Sequence, residues 1–158
     1  MTALKLIVPL ALASAVAHPL GSSRQLWATI DICGPASKPN TLGIRGSMPS
    51  DGRVKDVMYM RFRVQYLNPT TKAWVNVARG GDSGAIKVGL ADTARQGGYS
   101  FQFAPTSKSS FTLRGLVTFQ WRRGRKVVAS ASRTTGAGHH NAFGADPPRY
   151  SAATCKLS

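Results

Sequence analysis

From residue 26 onward the chain alternates apolar and polar side chains with a period of two. Residues 58–66 give the cleanest run: Met58, Met60, Phe62, Val64 and Tyr66 share one face, and Tyr59, Arg61, Arg63 and Gln65 share the other. Such alternation marks a β-strand with one face in a core and one in water. Residues 111–121 repeat it, with Phe111, Leu113, Val117, Phe119 and Trp121 opposite Thr112, Arg114, Thr118 and Gln120. Residues 26–33 set Leu26, Ala28, Ile30 and Ile32 against Trp27, Thr29 and Asp31; Tyr99, Phe101 and Phe103 alternate with Ser100 and Gln102. Shorter strands are predicted at 41–47, 73–77, 85–89 and 126–132. Turn residues separate these runs at Pro49 to Gly52, Asn68 with Pro69, Gly80 to Asp82, Gly97 with Gly98, and Arg123 with Gly124. Residues 86–95 fit either a strand or one helical turn. No stretch of useful length carries a helical period.

Short strands with one wet face each predict an all-β chain, folded as an antiparallel immunoglobulin-like β-sandwich of about seven to eight strands. Residues 121–126 read as a hairpin joining the last two long strands. The Gly-, Ala- and His-containing stretch 136–148 reads as loop, ending in a tail anchored by Cys155. Residues 26–158 form one domain, with no internal repeat. The immunoglobulin Cys–Trp–Cys core signature is absent, because the two cysteines lie at opposite ends of this domain.

Residues 1–17 have the three parts of an export signal. Lys5 supplies the charge, residues 6–13 the short apolar run, and Ala13, Ala15 and Ala17 the small residues of two cleavage sites. Cleavage after Ala17 is expected, with Ala15 the alternative; residues 18–25 then form a flexible lead-in. The apolar run is too short to span a bilayer, so the chain is expected to be secreted and not membrane-spanning. In an oxidising compartment, two cysteines allow one bridge, Cys33 to Cys155. No CxxC spacing supports a metal site instead.

At finer grain, Leu26-Trp27-Ala28-Thr29, Ile44-Arg45-Gly46-Ser47-Met48-Pro49, Phe119-Gln120-Trp121-Arg122-Arg123-Gly124 and Tyr150-Ser151-Ala152-Ala153-Thr154-Cys155 resemble segments of a group of small exported actinobacterial proteins. The resemblance covers most of the chain after the leader. It implies an exported sandwich and carries over no activity, ligand or site residue.

Charge narrows the possible partners. There are 21 Lys and Arg against 6 Asp and no Glu, a formal net charge of +15. A field of that sign favours polyanions. The hairpin residues Arg122, Arg123, Arg125 and Lys126, beside Trp121, are the candidate contacts for an anionic cell-surface polymer, and Arg61, Arg63 and Arg114 extend the patch if their strands are neighbours. Base-specific nucleic-acid recognition is not expected, and another extracellular protein is the alternative partner. Charged hairpin tips also serve simply to keep sheet edges from pairing.

Catalytic signals are sparse. Gly81-Asp82-Ser83-Gly84 matches the surroundings of a trypsin-like nucleophile, but His18 is the only histidine before Ser83. The tetrad suits a hairpin turn in which Asp bonds its own backbone and Gly takes positive φ. Six Asp offer little material for carboxylate acid–base chemistry, so an enzyme is not the favoured reading and no cofactor is expected. The alternative is a copper protein. Cleavage after Ala17 would make His18 the first residue, and an N-terminal His with His139 or His140 resembles the copper brace of exported copper monooxygenases and copper chaperones.

Overall fold

The computed structural model describes residues 20–104 and 109–158. After a single 3-10 turn, Leu20–Ser22, the described chain is built of strands: β1 Trp27–Cys33, β2 Thr41–Met48, β3 Arg53–Leu67, β4 Trp74–Asn76, β5 Asp82–Ala91, β6 Arg95–Gln102, β7 Phe111–Arg123, β8 Lys126–Thr134 and β9 Cys155–Leu157. Residues 86–95 are therefore strand and turn, without a helical turn. Every pairing between these strands is antiparallel.

The strands form two sheets. The small sheet has the order β1-β2-β6. The large sheet is centred on β3 and β7, with β4 and β5 sharing the free edge of β3, and β8 and β9 sharing that of β7. The core fills the space between them, as in a β-sandwich. Met58, Met60, Phe62, Val64, Val117, Phe119 and Trp121 from the large sheet meet Ala28, Ile30, Leu42, Ile44, Met48 and Phe101 from the small one. Trp121 keeps its indole N–H satisfied on the carbonyl of Pro49 at 3.1 Å, so its burial strands no donor.

The small sheet departs from the simple alternation. Ile30 pairs with Ile44 but Ile32 pairs with Gly43, leaving Asp31 as the extra residue of a bulge. The bulge turns both Asp31 and Ile32 toward Gly43: a Cβ built there would lie 2.5 Å from Asp31 Oδ1 and 2.8 Å from Ile32 Cβ. Ile32 thus joins the face of Trp27, Thr29 and Asp31, not that of Leu26, Ala28 and Ile30 as the period-two pattern predicts. The same change of phase points Cys33 inward, where it bonds Cys155 of β9 across a Cα–Cα distance of 5.6 Å. This disulfide ties the small sheet to the large one and closes a separation of 122 residues. Chain entropy alone gives such a closure about 5 kcal/mol.

Ser100 and Gln102 of β6 stay exposed, but the outer face of β1 and β2 is not wet, contrary to the expectation of one solvated face per strand. Residues 136–154 lie across it as a roof. Trp27 stacks on His139 with ring centroids 4.5 Å apart. Thr29 Oγ1 and Ser151 Oγ are 2.7 Å apart, and along the free edge of β1 Ile30 exchanges backbone hydrogen bonds with Ala152. β1 is buried on both sides from Trp27 to Ile32, and Thr29 and Asp31 are among the few buried polar residues.

Candidate functional site

The outer face of the large sheet carries no such roof among the described residues. It is set by the register of β3 against β7: Val57 opposite Arg122, Tyr59 opposite Gln120, Arg61 opposite Thr118, Arg63 opposite Leu116 and Gln65 opposite Arg114. The polar halves of the two longest alternating runs therefore fall side by side, bringing Arg61, Arg63, Arg114 and Arg122 onto one surface. Lys87 of β5, opposite Tyr59, adds a fifth cation. From Arg114 to Arg122 the strip spans about 27 Å, at about 3.4 Å per residue.

Two aromatic rings brace the guanidinium groups. Arg122 lies over Tyr59 at 4.1 Å from the ring centroid, with Nε and Nη2 donating to Gln120 Oε1 at 3.0 and 2.6 Å. Arg114 lies over Trp74 at 4.3 Å and donates from Nε to Gln65 Oε1 at 2.8 Å. Partial burial pulls the Arg114 guanidinium below its ordinary pKa. Held flat by rings and neutral amides, these cations keep their charge for an outside partner.

One carboxylate, Asp82, faces this strip. Arg61 donates to it through Nε at 2.8 Å and through Nη2. The Arg61 guanidinium, more than anything else, holds the Asp82 carboxyl below the usual carboxylate range. Arg63 is less well served. Its Nη2 reaches Thr118 Oγ1 at 3.4 Å, and its buried Nε has no acceptor among the described residues.

The four hairpin residues separate instead of clustering. Arg122 joins the strip. Arg123, one residue later, points to the opposite side, where Nε and Nη2 grip both oxygens of buried Asp56 at 2.8 and 2.9 Å. That fork-to-fork contact holds the Asp56 carboxyl low. Lys126, paired with Arg123 in the ladder, lines the same groove, while Arg125 sits exposed at the turn beside Gly124. The groove has a volume of about 920 Å³ and also holds Asp51, close beside Asp56. Burial pushes the Asp51 carboxyl up. Sequence reasoning missed this carboxylate pair, because a strand start lies between its members.

The Gly81 to Gly84 tetrad is a structural device. Asp82 Oδ1 accepts from the Gly84 N–H at 2.9 Å, and Gly84 has a φ of 67°. Ser83 Oγ accepts from the Phe62 N–H at 2.9 Å and donates to the Gly84 carbonyl at 2.7 Å. The side chain thereby fills a gap where the β3–β5 register shifts. It sits in a strand bulge, not at a hairpin tip.

Of the histidines, His18 lies outside the described residues. His139 is stacked on Trp27, and His140 places Nδ1 2.8 Å from the carbonyl oxygen of Arg149. Among the described residues no three His, Cys, Asp or Glu side chains gather in a way that would hold a metal ion, and no helix is long and apolar enough to cross a membrane. Compared with protein-family models, with curated proteins and with solved structures, the chain finds no match in any of the three.

Proposed function

We propose that this chain is an exported, non-catalytic binding module that engages an anionic polymer of the cell surface through the outer face of its large sheet. One observation carries the reading: Arg61, Arg63, Arg114 and Arg122 share a bare surface with Lys87 and a single carboxylate. Elsewhere the carboxylates are spent locally, Asp31 on Arg45, Asp56 on Arg123, Asp92 on Arg95 and Asp146 on Lys38. The face is therefore where the +15 charge of the chain has most to offer a partner. Export is supported by the leader pattern of residues 1–17 and by the Cys33–Cys155 bond, which is kept in oxidising compartments. Of the hairpin cations, Arg122 belongs to this binding face; Arg123 does not, since it is committed to Asp56.

The test is affinity for duplex DNA, used as a polyanion of known charge spacing, as a function of salt. Changing all four arginines to Gln should flatten the plot of log affinity against log salt by about 3.6, near 0.9 for each phosphate no longer neutralised. Changing Arg125 and Lys126 to Gln should do much less. A slope unmoved by the fourfold change, or an affinity indifferent to salt, rejects the proposal.

A further inference from the structure

We propose that the basic face contains one built seat for a tetrahedral oxyanion, centred on Arg63; the inference rests on the polyanion reading above and adds where a phosphate or sulfate group docks. A cavity of about 220 Å³ opens on this face, lined by Tyr59, Arg61, Arg63, Thr118, Gln120 and Arg122. Three guanidinium groups thus converge on a space floored by a hydroxyl and an amide.

The three are not equivalent. Arg61 is taken by Asp82, and Arg122 spends two donors on Gln120. Arg63 brings five N–H donors and has one long contact, to Thr118. A desolvated guanidinium nitrogen without an acceptor is uncommon and asks for one. The neighbouring carboxylate cannot serve, because Asp82 is already held by Arg61 and the Gly84 N–H. Thr118 Oγ1 has Ser132 Oγ at 3.2 Å, so its hydroxyl is already oriented within a small polar chain. An anion with three or four oxygens can take the Arg63 fork, the Thr118 hydroxyl and the edge of Arg122 together. A planar carboxylate has too few oxygens to do so.

The experiment follows the Arg Nε–Hε signals of the full chain by NMR during titration with inorganic phosphate, against sodium chloride at matched ionic strength. The Arg63 signal should shift saturably in phosphate and not in chloride. Arg63→Gln should weaken phosphate binding about tenfold, the loss of a charge-assisted hydrogen bond, and Arg63→Lys should restore less than half of it. If Arg63→Gln does not fold, Thr118→Val and Arg122→Gln carry the test, each lowering affinity. Polyphosphate and dextran sulfate of equal charge then distinguish the source of the oxyanion: the tighter polymer tells phosphate from sulfate.

An Arg63 signal that ignores phosphate, or an adventitious response shared with chloride, overturns the seat. If both polymers still bind with a normal salt slope, the wider reading survives. If neither polymer binds, that reading falls as well.

Discussion

The two outer faces of the sandwich start from the same alternation and end in opposite states. On the small sheet, the polar row of β1 is sealed beneath residues 136–154, and its arginine partner is locked inside. Arg45 donates from Nε to Asp31 Oδ2 at 3.0 Å, in a slot whose walls are glycines: a Cβ at Gly98 would lie 2.7 Å from the guanidinium carbon, and one at Gly144 2.9 Å from Nη2. On the large sheet the arginines face outward, Arg114 and Arg122 lying over aromatic rings. The difference teaches that charge type does not decide use. What lies above the strand does.

Removing one partner of each ion pair should separate the faces most. Burial outweighs Arg45 in its effect on Asp31 and pushes that carboxyl up, so the pair itself contributes little; losing one member, however, strands the other. Asp31→Ala should cost about 3 kcal/mol in denaturant titrations, and Asp31→Ala with Arg45→Met should recover most of it. Arg61→Gln, which breaks the pair on the open face, should leave the denaturation midpoint nearly unmoved. Equal losses at the two sites would dissolve the contrast.

Steric crowding comes next. Gly98→Ala drives a methyl into Arg45, which Gly144 confines from the other side, and should cost about 1–3 kcal/mol by the same titration. A neutral result would mean the slot is looser than its geometry.

The smallest effect is on pH dependence. Burial lowers the pKa of His139 below its ordinary 6.5, so the folded roof favours the neutral ring. The unfolded chain takes up the proton first, and stability should therefore fall as pH drops through and below 6.5. His139→Phe keeps the stack on Trp27 and removes the proton. Its thermal midpoint should fall less than that of the parent between about pH 7.5 and pH 5.5. Identical pH profiles would show that His139 does not couple the roof to pH.

The large sheet was legible in the sequence because β3 and β7 are long and each keeps one true wet face. Their periodicity gave the core residues and put Arg61, Arg63, Arg114 and Arg122 outward. The adjacency of the strands had to come from the structure. Phase was the harder matter. A one-residue step flips a side chain to the other face, so Arg122 and Arg123, read together as one basic cluster, serve different surfaces. A single bulge did the same to Ile32. The roof could not be read at all: Gly, Ala and His in residues 136–148 have no period, and nothing local says that such a segment will cover a sheet more than a hundred residues earlier.

That roof also sets an order of events. Thr29 finds its outer partner only at Ser151, Ile30 its edge partner at Ala152, and Cys33 its own at Cys155. A chain emerging from its N-terminus can pair β1 with β2 early, but half of that strand's partners are made last. Long-range closures of this kind are slow, and here they wait for residues 151–155. The first strand to appear is the last to be finished.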